Sequence, residues 1–264
     1  MSHLKVPALI LVLLIVVALG IVVGVNIQGY RLGLNASPAE QPADAHTIEH
    51  LNDRAADRLI QPGWVHIVSE VIADTDTPTS DNPGAGVVIP LNYTANDWFH
   101  LNDNNVVIES VSLTLTPEGR VIQAEIVRNG QGWNLTLNEA AGPVEPYSIT
   151  LDYGFRQEVI AAESGGLTVT QEMTTLEDKS VTLIVIQSQF DNSTQIASFA
   201  QPIVGSEIRA YFDPDSGRLL RKDSVLTMAD GTERVGQSIR FKVMEWAESP
   251  PTGIVEYLQE GIGN

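Results

Sequence analysis

The sequence predicts a mainly β protein, with an N-terminal transmembrane helix followed by an antiparallel β meander. The meander is expected to form a half-barrel or sandwich with one packed amphipathic helix. Three observations predict this class. Residues 7–25 are an uncharged apolar run, one later segment repeats apolar residues at helical spacing, and from Gly63 onward the apolar period is almost everywhere two. Short turn signals separate the alternating segments, and short connections force neighbouring strands to be antiparallel.

The apolar run at residues 7–25 is long enough to cross a bilayer. A helix needs about 20 apolar residues to span about 30 Å of hydrocarbon, whereas the apolar core of a cleaved signal peptide is commonly about 7–15 residues long. An uncleaved anchor is therefore the first interpretation, and a cleaved signal is the alternative. Lys5 and the amino terminus precede the run, so we expect a single-pass protein of the cell membrane whose bulk is extracytoplasmic.

The rest of the chain divides by composition and period. Proline and small residues without an apolar period indicate a spacer. After it, Asp44 is a candidate N-cap for a helix that ends before Pro62-Gly63, and its apolar residues recur at spacings of 3, 4 and 4. These residues are Ile48, Leu51, Ala55 and Leu59. The predicted units are the anchor and its flank (1–34), the spacer (35–43), the β-rich extracytoplasmic domain with its leading helix (44–249) and a C-terminal tail (250–264).

Period-two alternation predicts roughly nine to eleven strands between Gly63 and Trp246, with no long helical crossover among them. Residues 147–155 alternate without a break, with aromatic and aliphatic residues on one side and polar residues on the other. Further strands are predicted at residues 111–116, 121–127, 133–137, 167–170, 181–190, 208–212 and 238–243. Residues that tolerate positive φ mark the hairpins between them: Pro117-Glu118-Gly119, Asn129-Gly130, residues 213–217 and Asp230-Gly231.

The charge and the absence of cysteine exclude several classes of function. The chain has 15 Lys and Arg against 33 Asp and Glu, a net charge of −18, and no cysteine. Nucleic-acid affinity depends mostly on Lys and Arg that neutralise phosphates, so no nucleic-acid partner is expected. Without cysteine there is no disulfide framework, no thiol catalysis and no lipid-modified N-terminal cysteine.

One short motif carries a catalytic interpretation. His46, Glu49 and His50 fit the inverted zinc-protease pattern H-x-x-E-H on the predicted helix, where two histidines four residues apart share one face. The third ligand should come from another helix, yet everything downstream reads as strand, so a solvated helical face is the preferred interpretation. The sequence shows no nucleophile elbow and no phosphate-binding loop. We therefore expect no enzyme activity, no cofactor and no metal.

A Trp-x-His pattern occurs twice near the start of the meander. Trp64 and His66 stand in the first expected strand, and Trp98 and His100 stand in a later segment. The repeat would place two aromatic rings and two imidazoles near one another. Packing in the core is the preferred interpretation, because aromatic residues on strands usually bury their rings.

The order of elements resembles the half-barrel group of lipoprotein carriers (LolA/LppX-like) and sigma-factor regulators (RseB-like). The segments that carry this resemblance are the helix before Gly63-Trp64, residues 147–155, and the closing strands and turns at residues 211–220, 228–231 and 238–243. The resemblance implies an incomplete antiparallel barrel that curls around a helix. It also implies that the apolar side of that barrel accepts acyl chains or apolar peptide segments.

The function expected from anchor, meander and resemblance is non-catalytic binding of an apolar ligand, a lipid or acyl chain, or of an envelope protein partner. Retention of the anchor and the lack of cysteine argue against a shuttling carrier and favour a tethered receptor, sensor or local chaperone. The alternatives are a structural or assembly protein of the cell envelope and a zinc-dependent hydrolase. If a groove exists, large aromatic side chains are expected to line it, and the alternative is that they fill the core: Trp98, Trp133, Tyr153 and Phe155.

Overall fold

The computed structural model describes residues 62–73, 92–194 and 202–260, without the side chains of residues 191–194 and 260. The anchor predicted at residues 7–25, the spacer and the leading helix with His46, Glu49 and His50 lie outside these residues. Within the described ranges, no helix is long and apolar enough to cross a membrane.

Among the residues that the structure describes, eleven strands form one antiparallel sheet, which confirms the mainly β class and the expected strand number. The first six are β1 (Gly63–Ala73), β2 (Asn92–Leu101), β3 (Val107–Leu115), β4 (Val121–Arg128), β5 (Gln131–Asn134) and β6 (Glu139–Pro143). The other five are β7 (Thr168–Leu176), β8 (Lys179–Thr194), β9 (Ile203–Phe212), β10 (Leu219–Met228) and β11 (Glu233–Ala247). The described part of the chain also contains two helices, α1 (Phe155–Ser164) and α2 (Thr252–Glu260).

The sheet is open, and its two edges are β6 and β7. Its order is β6-β5-β4-β3-β2-β1-β11-β10-β9-β8-β7, so two meanders meet where β1 pairs with β11 at the centre. Short turns join β3 to β4, β4 to β5, β7 to β8 and β10 to β11, as the hairpin signals predict, whereas residues 74–91 separate β1 from β2. The turn at Asn129-Gly130 has φ of 52° and 71°, positive at both central residues, which is the type I′ pattern that matches the twist of paired strands.

The two faces of the sheet are covered by different parts of the chain. Residues 144–167, called here the crossing segment, run from one edge strand to the other and contact the face that carries Val65 and Ile67 of β1. This face is called the crossed face. Helix α2 packs on the opposite face, called the α2 face, where its Ile254 and Leu258 belong to the buried cluster that contains Trp64.

The crossing segment corrects the prediction of a strand at residues 147–155. Ile149 and Leu151 are buried while Ser148 and Thr150 are exposed, so the alternation is real. Residues 147–155 pair with the sheet through an isolated β-bridge between Ser148 and Val106, and α1 begins at Phe155. The crossing segment, with the ten-residue α1, therefore interrupts the strands where no long helical crossover was expected. An extended segment lying across a sheet buries every second side chain, as a strand does, and produces the same sequence pattern.

Helix α1 closes the crossed face over β8, β9 and β10. Its Phe155, Val159 and Ala162 pack against a buried cluster contributed by these strands. The cluster contains Ile184, Ile186, Ala210, Phe212 and Leu219. At the helix start, the Asp152 carboxylate accepts hydrogen bonds from the backbone N–H groups of Gly154, at 3.1 Å, and Arg156, at 3.0 Å, which satisfies donors that a helix start leaves unpaired.

Helix α2 was not predicted, since residues 250–264 were interpreted as a tail. Its apolar residues Ile254, Tyr257 and Leu258 contact the cluster around Trp64 and Trp98. The spacing of three and four residues is the helical one. The segment is short, and the helix is stabilised by this tertiary contact rather than by propensity alone.

Candidate binding face of the sheet

The four aromatic residues expected to line a groove lie on opposite faces. Trp98 is buried on the α2 face, and Trp133 packs against the same cluster. Tyr153 and Phe155 lie on the crossed face. Phe155 is 1% exposed and fills the core beneath α1. The four residues therefore do not share one groove, and of the four, Tyr153 is the half-buried one on the crossed face.

Tyr153 occupies a special position in the crossing segment. Its φ is 51°, a left-handed value that is uncommon for a residue with a side chain. Its ring stacks on Phe241 of β11 with centroids 4.0 Å apart. Within the described residues, its buried hydroxyl has no hydrogen-bond partner. Burial raises the pKa of Tyr153, so the hydroxyl stays neutral and able to donate a hydrogen bond.

A row of polar side chains runs across the crossed face on the other half of the sheet. The register pairs Asp97 of β2 with Ser112 of β3, Ser112 with Glu125 of β4, and Glu125 with Asn134 of β5. These four residues are called here the polar row. In β1, Ile67 pairs with Asp97 and continues the row as an apolar residue. Four strands thus bring two carboxyl groups onto one transverse line.

The two carboxyl groups of the polar row are desolvated. Burial raises the pKa of Asp97 to about 7, although the Ser112 hydroxyl donates a hydrogen bond that opposes the shift and Glu125 adds repulsion. Burial also raises the pKa of Glu125. Gln123 donates to Glu125 at 2.7 Å, while its own side-chain oxygen is buried without a hydrogen-bond partner in the described part of the chain. The polar row therefore holds groups that have lost most of their hydration. Burying such groups is unfavourable in free energy unless hydrogen bonds replace the lost water.

An apolar patch borders the polar row along β2. Val71, Tyr93 and Ala95 form a buried cluster with Ile239 of β11 packed against it. Tyr93 and Ala95 alternate with the same period as Asp97, so patch and row share the crossed face. The crossing segment contacts the other ends of these strands, through Ile149 against a cluster that includes Val65. Described side chains thus place a largely buried apolar cluster and two carboxyl groups side by side.

The polar row was not predicted from the sequence. Ser110, Ser112 and Thr114 alternate with Val111 and Leu113 in β3, and such a pattern is usually interpreted as a solvated face opposite a buried one. Here both faces are covered, and Ser110 and Thr114 are each 2% exposed. The signal available in the sequence was a set of acidic and amide residues in two of the strands: Asp97 in β2, and Gln123 and Glu125 two residues apart in β4.

The Trp-x-His repeat forms two stacked pairs on the α2 face. Strands β1 and β2 pair antiparallel, so His66 lies opposite Trp98 and Trp64 lies opposite His100. The ring centroids are 4.1 Å apart in the first pair and 4.7 Å apart in the second. The repeat does bring two indoles and two imidazoles together. Among the described residues, no group of three or more His, Cys, Asp or Glu is arranged to hold a metal ion.

Comparisons with known proteins give a resemblance of architecture. No protein-family model and no curated protein match the chain. Among solved structures, MucB in complex with MucA(peri) matches with a TM-score of 0.40 and 12% identity, covering 77% of this chain and 57% of that chain. The chain thus spans little more than half the length of that protein. The Mycobacterium tuberculosis lipoprotein LppX matches with a TM-score of 0.34 and 10% identity, covering 76% and 95%.

A third solved structure is a β-barrel-like protein of a domain of unknown function from Brucella abortus. It matches with a TM-score of 0.22 and 11% identity, covering 71% of this chain and 99% of that chain. LppX belongs to the group that the sequence resemblance names, and the likeness to it is one of architecture alone.

Proposed function

We propose that this protein is a non-catalytic, extracytoplasmic binding domain that holds an apolar ligand, a lipid or acyl chain, on the crossed face. Residues 7–25 tether it to the cell membrane in a single pass. The observation that supports the proposal most strongly is the apolar patch of Val71, Tyr93, Ala95 and Ile239 beside the desolvated polar row. Binding sites for small apolar molecules combine apolar lining with a few polar groups that fix orientation.

The arrangement fits an amphiphile with an uncharged head. An acyl chain would lie along the patch on β1, β2 and β11, and its polar head would reach Asp97 and Ser112. The polar row contains no Lys or Arg, so an anionic head would meet two carboxyl groups without a counter-charge. A neutral head with hydroxyl or amide groups can donate hydrogen bonds to these carboxyl oxygens and to the unpaired oxygen of Gln123.

The proposed tether suits local capture rather than transport. The spacer at residues 35–43 has nine residues, and random-coil scaling gives it a reach of roughly 15–20 Å. The domain would stay close to the bilayer surface. Its acidic composition keeps it away from anionic head groups, which agrees with a preference for neutral amphiphiles.

The test measures binding of a pyrene-labelled monoacylglycerol to the full-length chain held in amphipol, by pyrene fluorescence at pH 8. We expect the matched pyrene-labelled fatty acid, which is anionic at this pH, to bind about tenfold more weakly, equivalent to about 1.4 kcal/mol. Equal affinity for the two probes would contradict the assignment of the head group to the polar row.

Two matched variants locate the probe on the sheet. Ala95→Trp fills the apolar patch, and Thr94→Trp adds the same ring to the neighbouring position, whose side chain faces the α2 face. We expect Ala95→Trp to weaken binding by about tenfold and Thr94→Trp by less than about twofold. Both variants keep the predicted anchor, so partition of the probe into residues 7–25 contributes equally. The same affinity in both variants would contradict binding on the crossed face.

A further inference from the structure

The two edges of the sheet differ in how open they are to another strand. Edge strand β6 has five residues and ends in Gly142 and Pro143. Edge strand β7 has nine residues, no proline and no lysine, and most of its residues are exposed. An exposed edge strand presents unpaired backbone groups and is a template for pairing, and proteins usually protect such edges with proline, lysine or short length. β6 carries such protection and β7 does not.

The hairpin between β7 and β8 shows which backbone groups point outward. Its two-residue turn, Glu177-Asp178, has φ of 51° and 65°, and Leu176 pairs with Lys179 across it. In a two-residue hairpin the flanking pair is hydrogen-bonded, and hydrogen-bonded pairs then alternate along the ladder. The residues of β7 that bond to β8 are therefore the even-numbered ones. The N–H and C=O groups of the odd-numbered residues point to the open edge: Val169, Gln171, Met173 and Thr175.

No strand pairs with this outer edge among the described residues. Met173 is 60% exposed, the largest exposure among the exposed large apolar side chains of the described chain. It lies on the crossed face of β7, beside the outward backbone groups. A strand added here would bury the apolar side chain of Met173 and form main-chain hydrogen bonds with the odd-numbered residues. Both interactions would stabilise the contact.

The charge around the β7 edge is acidic. Residues 168–179 contain Glu172, Glu177 and Asp178 against Lys179, so three acids minus one base give −2, within a chain whose net charge is −18. All four residues are exposed. A second copy of this chain would bring the same negative charge to the contact. A basic strand would instead be attracted by the negative charge around β7.

We propose that β7 is a docking edge at which an extended basic segment of a partner protein adds a twelfth strand to the sheet. This goes beyond ligand binding on the crossed face, because it uses backbone groups at the edge and requires no ligand. Pairing supplies affinity through main-chain hydrogen bonds. Met173 selects an apolar side chain beside it, and Glu172 with the turn acids selects lysine or arginine in the added strand.

The probe is a nine-residue, fluorescein-labelled peptide of alternating valine and lysine, titrated against the full-length chain in amphipol by fluorescence anisotropy. Hydrogen–deuterium exchange then reports the site. In the free chain we expect fast exchange at Val169, Gln171, Met173 and Thr175, and slower exchange at the even-numbered residues between them. The peptide should slow exchange at these four amides by about tenfold or more, since main-chain pairing protects an amide.

Variants of one residue separate pairing from general attraction to an acidic protein. Gln171→Pro removes an outward N–H without removing a bond to β8, and proline is tolerated on edge strands. Gln171→Ala keeps the N–H and is the matched control. The net charge is the same in both, so non-specific attraction is unchanged. We expect Gln171→Pro to weaken peptide binding by about tenfold and Gln171→Ala by less than about twofold.

Further results decide the outcome even if Gln171→Pro folds poorly. Glu172→Lys should weaken binding of the valine–lysine peptide by about threefold or more and make it less sensitive to salt. Equal affinity for a valine–glutamate peptide would overturn the preference for a basic strand. Protection of amides elsewhere than β7 would overturn the docking edge. Sedimentation that shows a dimer of the wild type, lost in Gln171→Pro, would make a second copy the occupant and overturn the basic partner.

Discussion

Each half of the sheet is an antiparallel meander, but the crossed face is covered differently in the two halves. On β8, β9 and β10, helix α1 closes this face with Phe155 and Val159 packed into an apolar cluster. On β2, β3 and β4, the same face carries the desolvated Asp97 and Glu125 beside an apolar patch. A half filled by its own side chains has stability as its main role. A half that keeps polar groups away from water is the one where a ligand can recover lost hydrogen bonds.

Phe155→Ala tests the closed half and should have the largest effect on stability. The ring is 1% exposed and lies 5.6 Å from the ring of Phe212. Truncating a buried phenylalanine leaves a cavity and costs about 3–5 kcal/mol. Urea unfolding of the full-length chain measures the loss. A loss of under about 1 kcal/mol would contradict a filled core beneath α1.

Asp97→Asn tests the polar half. At alkaline pH this substitution should raise the free energy of unfolding, whereas Phe155→Ala should lower it. Burial raises the pKa of Asp97 from 3.8 to about 7, so between these values the native state binds a proton that the unfolded state has lost. Native stability should therefore fall as pH rises through this window. At pH 8 the variant should be more stable by on the order of 4 kcal/mol, because the pKa rises by about three units and each unit corresponds to about 1.4 kcal/mol.

The control for that prediction is Asp103→Asn, in the exposed turn between β2 and β3. Urea unfolding at several pH values between 5 and 8 compares the variants. The wild type and Asp103→Asn should lose stability together as pH rises, and the Asp97→Asn curve should be flatter. Parallel curves for all three proteins would show that the carboxyl of Asp97 is hydrated.

Lys222→Met tests the polar contact that holds α1 on the closed half. Lys222 of β10 donates to both carboxylate oxygens of Glu158, at 2.5 and 2.7 Å, and its ammonium lies 5.8 Å from the centre of the Phe155 ring. Methionine preserves the apolar stem and removes the charge. We expect a loss of about 1–2 kcal/mol, because the pair is partly buried. Unfolding in urea at pH 7 gives the value, and no loss would mean that apolar packing alone fixes α1.

Lys242→Met should have the smallest effect and sharpens the previous comparison. Lys242 of β11 lies 3.1 Å from Glu70 of β1, where the two halves meet, but both side chains are well exposed. Exposed ion pairs contribute about 0–1 kcal/mol. We expect a change below about 0.5 kcal/mol, measured alongside Lys222→Met under the same conditions. A larger loss than that of Lys222→Met would reverse the ranking of the two ion pairs by burial.

Strands and hairpins could be predicted from sequence because they depend on local signals. The turns at Gly119, Asn129-Gly130, Gly217 and Gly231 each contain the residues of positive φ that the sequence indicated. The antiparallel meander follows from these short connections. The crossing segment could not be recognised in the same way, because an extended segment on a sheet and a strand within a sheet bury alternate side chains alike. The pairing of β1 with β11 joins the first and the last strand of the sheet in chain order and has no local signal.

The site residues were predicted from their aromatic type alone. The face of the sheet on which a strand residue lies depends on the register of the paired strands. Trp98 and Trp133 belong to the α2 face because they align with Val111 and Ile126 across β3 and β4. The polar row depends on the same register, which a one-residue shift would move to the other face. Single-strand alternation does not show which face a second layer covers. The binding of a ligand by Tyr153 stays a prediction.

The measurement that tests the central claim most directly is the map of a photoreactive lipid on the full-length chain. A monoacylglycerol with a diazirine in its acyl chain is photolysed with the protein in amphipol, and mass spectrometry locates the adducts. We expect adducts at Val71, Tyr93, Ala95 and Ile239 that unlabelled monoacylglycerol suppresses, beside any in residues 7–25. Adducts confined to residues 7–25, or spread equally over the crossed face and the α2 face, would contradict a ligand site beside the polar row.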